Sequence, residues 1–230
     1  MPQRRGISAF TPEEILDRPL NDVETKNAPE RLYVAGGMKI PIQGSRVAIV
    51  GTRKASPGGL GTANRISREL VKKDVVIVSG LAEGIDTAAH TGAIDSGGRT
   101  LAVLGTPLDK FYPSKNRDLQ QRIMVQHLAV SQFPIGQPIQ RSNFIIRNKT
   151  MALLCDASII IEAGNTSGTL SQGWEALRLG RPLFIWKDVF NNGSLSWPDE
   201  MLDYGAAVLT NLDQVLEVLP NPSRILKVVP

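Results

Sequence analysis

Four consecutive apolar residues, Val47 to Val50, stand between Arg46 and the tripeptide Gly51-Thr52-Arg53. A β-branched run with no alternation reads as a strand buried on both faces, which is what a central parallel strand between two helical layers requires. Gly51 lets the backbone turn sharply at the strand's carboxyl end, where open α/β sheets place their ligands. Thr52, Arg53 and Lys54 then offer a hydroxyl and two cations to that crevice. An isolated Gly-Thr-Arg is equally an ordinary β-to-α turn with a surface arginine, so the inference depends on recurrence.

The pattern does recur. A loop rich in glycine, Lys54 to Gly61, precedes an amphipathic helix from about Gly61 to Lys72, and a strand at Val75–Val78 runs into Ser79-Gly80-Leu81-Ala82 and another helix start. Thr100–Leu104 and Leu128–Gln132 read as further strands, with a helix from about Lys115 between them. Ala157–Ile161 ends in Glu162 and enters a helix through Ser167-Gly168-Thr169, where hydroxyls and free amides make a phosphate cradle. Pro182–Trp186 and Ala207–Leu209 complete the strands, and Leu212–Leu219 reads as a closing helix. Strand-helix alternation of this kind gives an α/β, doubly wound, mostly parallel sheet with helices on both faces. Leu32–Ala35 is expected at its edge.

Residues 1–29 are polar and mixed in charge and read as an appendage without a core, carrying one short helix capped by Thr11 and opened by Pro12. The main domain is expected over 30–220, with a proline-bounded tail over 221–230. The single cysteine, Cys155, excludes a disulfide framework and a multi-cysteine metal site. With no apolar stretch after the basic start and no membrane-length apolar run, a cytoplasmic protein that does not enter membranes is expected.

The net charge of +4 is modest, but eleven of the 26 basic residues fall in two acid-free stretches, Arg31 to Arg68 and Leu119 to Cys155. If these meet in space they form an anion-binding face. The second stretch holds a proline-rich loop presenting Arg141, Asn143 and Phe144, after which Arg147, Asn148 and Lys149 are expected to open a helix to about Leu154. Cations at a helix N-terminus oppose the macrodipole, a conflict that a bound anion would offset. An aromatic among arginines and asparagines suits a site where a base stacks and phosphates are neutralised. Asp86 and His90, four apart on a helix, read as a structural hydrogen bond in preference to a metal or acid/base pair. No metal and no cofactor are expected.

Six segments in order resemble one family: residues 47–56, 78–90, 97–105, 112–116, 143–149, and 161–163 with 167–170. They are similar to the DNA-processing protein A (DprA/Smf) family over roughly residues 28–190. That resemblance implies an extended Rossmann-like domain that binds single-stranded DNA without sequence readout, dimerises, and loads the RecA recombinase during transformation or recombination. It also implies a DNA pocket built from Gly51, Thr52, Arg53 and Lys54, from Ser79, Gly80 and Leu81, from Asn143, Phe144, Arg147, Asn148 and Lys149, and from Glu162, Ser167, Gly168 and Thr169. Many relatives carry additional domains on either side of such a core, and the usual arginine after the second asparagine of the Asn-Phe motif is Lys149 here.

The alternative is a nucleotide-binding protein or N-glycosidase like the LOG phosphoribohydrolases, which share this sheet and a Gly-Gly-x-Gly-Thr-x-x-Glu motif. Here the position three beyond Thr169 is Gln172, which cannot act as a general base, and Glu175 lies a turn later. The expectation is a binding protein and not an enzyme; a sensor of a small nucleotide in the same crevice is the remaining variant.

Overall fold

The structure is a computed structural model and describes residues 6–220. Nine strands form one sheet: β1 (Ser8–Phe10), β2 (Leu32–Gly36), β3 (Arg46–Gly51), β4 (Val76–Ser79), β5 (Thr100–Leu104), β6 (Leu128–Ser131), β7 (Ala157–Glu162), β8 (Leu183–Trp186) and β9 (Ala207–Leu209). Their order is β1-β2-β6-β5-β4-β3-β7-β8-β9. The seven strands from β3 onward pair in parallel, and β2 joins β6 antiparallel with β1 antiparallel outside it.

The continuous apolar runs follow from this topology. Along β3, Val47 and Ile49 enter one core layer and Ala48 and Val50 the other. Burial on both faces stabilises by about 1.5–3 kcal/mol for each large side chain, which no half-exposed strand would obtain. Helices α3 (Pro57–Val71), α4 (Ile85–Asp95), α5 (Arg117–Gln126) and α9 (Asp213–Val218) cover one face. On the other face lie α1 (Pro12–Leu16), α6 (Arg141–Leu153), α7 (Thr169–Arg178) and α8 (Trp197–Asp203). The short α2 (Asp22–Thr25) completes the set.

Several sequence expectations are corrected here. The segment before residue 30 contributes Ile15 and Leu16 to the core, and β1 covers β2, so Leu32–Ala35 is not an edge. A three-residue strand carries too little periodicity to be read from sequence. Helix α1 is as expected, with Thr11 and Glu14 in a reciprocal capping box. The loop expected over 54–61 is helical from Pro57, because Ser56 caps the Gly59 amide and proline sits at the first turn. The glycines there are permissive of a close neighbour: a Cβ on Gly59 would lie 2.2 Å from Glu162 Oε2. Helix α6 opens at Arg141, six residues before the expected start, since Gln140 offers no side-chain cap to mark it. The tail over 221–230 lies outside the described residues.

Candidate nucleic-acid interface

Strands run outward from β3 in two directions, to β4, β5 and β6 on one side and to β7, β8 and β9 on the other. The switch point of an open α/β sheet therefore lies between β3 and β7, and ligands bind outside the carboxyl ends of the strands there. The β3–β7 register shifts between Val50 and Gly51, so that Gly51 faces Glu162. The Thr52 amide donates to the Glu162 carbonyl at 2.7 Å and the Thr169 hydroxyl to the Gly51 carbonyl at 2.9 Å. These bonds tie the end of β3 to β7 and to the start of α7, beside a crevice of about 520 Å³.

Gly51, Thr52, Arg53 and Lys54 line one wall of that crevice. Ser167, Gly168 and Thr169 line the opposite wall at the N-terminus of α7, and Phe144, Arg147 and Asn148 of α6 close the third. Arg53 is exposed and its Cζ stands 5.5 Å from the centroid of the Phe144 ring, within cation–π range. Tyr112, 42% exposed, packs on the same ring with centroids 5.2 Å apart. The sequence reading did not single out Tyr112, although its Tyr-Pro-Ser-Lys-Asn segment was one of the six that carried the resemblance.

Arg147 occupies a different position from the one expected. It sits mid-helix, 6% exposed, so no conflict with the α6 dipole arises. Its Nη1 donates to the carbonyls of Gly80 and of Val103, the latter at 2.8 Å, and its Nε donates to Asn148 Oδ1 at 2.9 Å. Asn148 Nδ2 in turn donates to the Gly168 carbonyl and Ser171 Oγ at 2.9 and 2.8 Å, which ties α6 to the start of α7. Burial weakens the Arg147 guanidinium's hold on its proton, and the carboxyl of Asp86 opposes that effect. Burial likewise raises Asp86 above the ordinary carboxylate range, against the pull of Arg147.

Other expected residues have structural positions instead. Ser79 is buried with its hydroxyl donating to the Ile49 carbonyl, and Leu81 is buried with its carbonyl accepting from Asn116 Nδ2. Asn143 is 2% exposed and, like Lys149, is not among the residues that line the crevice. From α6 the crevice is lined by positions 144, 145, 147, 148 and 151, and the half-buried Lys149 is not among them. Gly80 belongs to a small adjoining pocket with Tyr112 and Phe144.

Glu162 is bonded to the start of α3 and lines a neighbouring cleft. Its carboxylate accepts from the Ser56 amide at 3.1 and 3.2 Å and from Ser56 Oγ at 2.8 Å, so it lies at the positive end of α3. It faces a second cleft of about 490 Å³ that also includes Trp186 and Asp188. Asp86 and His90 do not bond each other: Asp86 accepts from the Gly80 and Ala82 amides, and His90 Nδ1 lies 2.7 Å from Thr100 Oγ1. Among the described residues no cluster of three or more His, Cys, Asp or Glu could hold a metal ion. No helix in the described residues is long and apolar enough to cross a membrane.

Comparison with known proteins agrees with this geometry. The model of the family DNA recombination-mediator protein A matches residues 14–220. DNA processing protein DprA of Streptococcus pneumoniae (strain R6) is 36% identical over 193 residues, covering 84% of this chain and 68% of that protein. The Bacillus subtilis (strain 168) protein of the same name is 30% identical over 192 residues, covering 84% of this chain and 65% of its own length. The chain thus spans about two thirds of these curated relatives. A solved structure of DNA processing protein A from Helicobacter pylori, described for its single-stranded DNA binding mode, superposes with a TM-score of 0.77 at 27% identity over 99% of both chains. The chain belongs to the DNA processing protein A (DprA/Smf) family.

Proposed function

We propose that this chain binds single-stranded DNA without reading its sequence, protects it, and helps to load a RecA-type recombinase onto it, acting in the cytoplasm as a homodimer. The observation that carries the DNA-binding part is the convergence of Arg53, Arg147 and Phe144 on the crevice at the switch point of the sheet, with Tyr112 against Phe144 in the pocket adjoining it. Guanidiniums neutralise phosphates and aromatic faces stack on any base.

Sequence independence has its own support in the hydrogen bonds. Bidentate reading of an adenine edge takes a free side-chain amide. Asn148 has both ends of its amide engaged within the fold, and Gln172 is fully buried with Nε2 donating to Ser158 Oγ at 2.7 Å. The same facts weigh against the phosphoribohydrolase alternative. Gln172 stands where that motif needs a carboxylate, and Glu175 is buried in an ion pair with Arg178 at 2.6 Å, outside the crevice lining.

The test is fluorescence-anisotropy titration of a labelled oligo-dT at several salt concentrations, with duplex and mononucleotide as competitors. Tight, salt-sensitive binding that neither competitor abolishes is the expected outcome. Arg53→Ala and Arg147→Ala are expected to weaken binding to a similar degree for every sequence, each flattening the log–log salt slope by about 0.7. Displacement by mononucleotide, or no strand binding, overturns the assignment. Sedimentation equilibrium tests the homodimer, and recombinase filament formation with and without the chain tests the loading step.

A further inference from the structure

The turn between β4 and α4 carries a strained residue directly beneath the arginine of the crevice. Leu81 adopts φ +59°, a left-handed conformation that L-residues with a side chain adopt at a cost. Three contacts hold it there. Asp86 Oδ2 accepts from the Gly80 amide at 3.2 Å and from the Ala82 amide at 3.3 Å, one on either side of Leu81, and Asn116 Nδ2 donates to the Leu81 carbonyl at 2.9 Å.

What this turn presents is a seat for Arg147. The Gly80 carbonyl accepts from Nη1, and a Cβ on Gly80 would fall 2.2–2.6 Å from the guanidinium atoms. The guanidinium therefore lies flat against the Gly80 backbone, with Nη1 and Nε committed to the protein; among the described residues Nη2 has no such bond. Asp86, 5% exposed, lines the same crevice as Arg147 and supplies the negative charge nearest to a buried cation. A buried cation without a compensating charge is costly, and its side chain swings toward water if it can.

We infer that Asp86 is a positioning residue for Arg147: by clamping the strained Gly80-Leu81-Ala82 turn, it fixes the guanidinium so that Nη2 meets the strand's phosphate. The inference rests on the DNA-binding reading for its function but not for its geometry, so two measurements separate them. In the unliganded protein, nitrogen-15 NMR follows the Arg147 Nε–H, identified by its disappearance in Arg147→Lys. Its exchange with water is expected to be slow in the wild type and to speed up at least about tenfold in Asp86→Asn, as a buried hydrogen bond becomes exposed. Unchanged protection overturns the inference, whatever the protein binds.

The second measurement is a double-mutant cycle in oligo-dT affinity. Asp86→Asn is expected to weaken binding about tenfold in the wild type and in Arg53→Ala, yet less than about twofold in Arg147→Ala, because coupling shows up only between residues that act together. Equal losses in all three backgrounds would mean that Asp86 merely supports the fold, and would overturn the inference. Absence of strand binding by the wild type, with the exchange result intact, would overturn the DNA reading and leave the positioning of Arg147 standing.

Discussion

His90 shows how a single buried side chain sets a response to pH. It is fully buried on α4 beside Thr100, whose own hydroxyl donates to the Ile77 carbonyl, so Nδ1 of the imidazole carries the proton of that contact. Burial, with the nearby His127 and Arg147, lowers its pKa from 6.5 to about 3. Above pH 6.5 the ring is neutral folded or unfolded and nothing is lost; between 6.5 and about 3 the unfolded chain binds a proton that the fold refuses. Stability is expected to fall with falling pH by up to about 1.4 kcal/mol per unit. Urea midpoints at pH 7 and pH 5 measure it, and His90→Gln should flatten the slope. Comparing the two proteins separates this ring from His127, whose pKa burial also lowers. The sequence placed Asp86 and His90 on one helix correctly, but their spacing says nothing of their partners, which come from the β4–α4 turn and from β5. Arg147 shows the same limit: its chemistry was legible, while its seat on Gly80 and Val103 joins residues 67 and 44 positions away.

At the scale of elements, the strands were legible because double burial demands unbroken apolar runs, as were the Thr11 cap and the outer strand Ala207–Leu209, whereas β1 and the starts of α3 and α6 were not. Helix α6 begins without a side-chain cap, and its charged and polar opening resembles a loop in sequence. The segment before residue 30 looked detached because its polar residues hide both a short apolar contact, Ile15 and Leu16, and an ionic one. Glu24, with 1% of its side chain exposed, is gripped by Arg18 at 2.6 Å and by Arg181 at 2.5 Å, and Arg178 donates to the Val23 carbonyl. Arg18 and Arg181 hold the Glu24 carboxyl below its usual range, with the Arg18 hydrogen bond the largest influence. Glu24→Ala would leave Arg181 without its carboxylate while the more exposed Arg18 turns toward water, at a cost of about 1–2 kcal/mol. Urea unfolding should show that loss, and limited proteolysis should cut first before residue 30. Unaltered cleavage would mean that β1 and the packing of α1 hold the segment without the ion pair.

Across the whole molecule, the charge segregation seen along the chain is only partly realised in space. Arg46 lies at the amino end of β3, opposite the crevice, and is spent on Asp156 at 2.8 Å; Arg65 stacks over Trp186. Arg53, Lys54 and Arg147 are the cations that line the crevice. A chain using about three cations on single-stranded DNA should show a log–log salt slope near −2. A slope steeper than about −4 would mean that the dispersed arginines also touch the strand, along a path much longer than the crevice.

The outer strands of the sheet carry a consequence of a different kind. A sheet edge is an open row of backbone groups on which another chain can add, and long flat edges are where aggregates begin. Here β1 and β9 are three residues each, while the strand next inside at one end, β2, is five residues long and includes the buried Leu32 and Val34. Ser8–Phe10 thus covers the edge of β2, and removing it is expected to raise aggregation at high concentration above that of the intact chain, as read by light scattering.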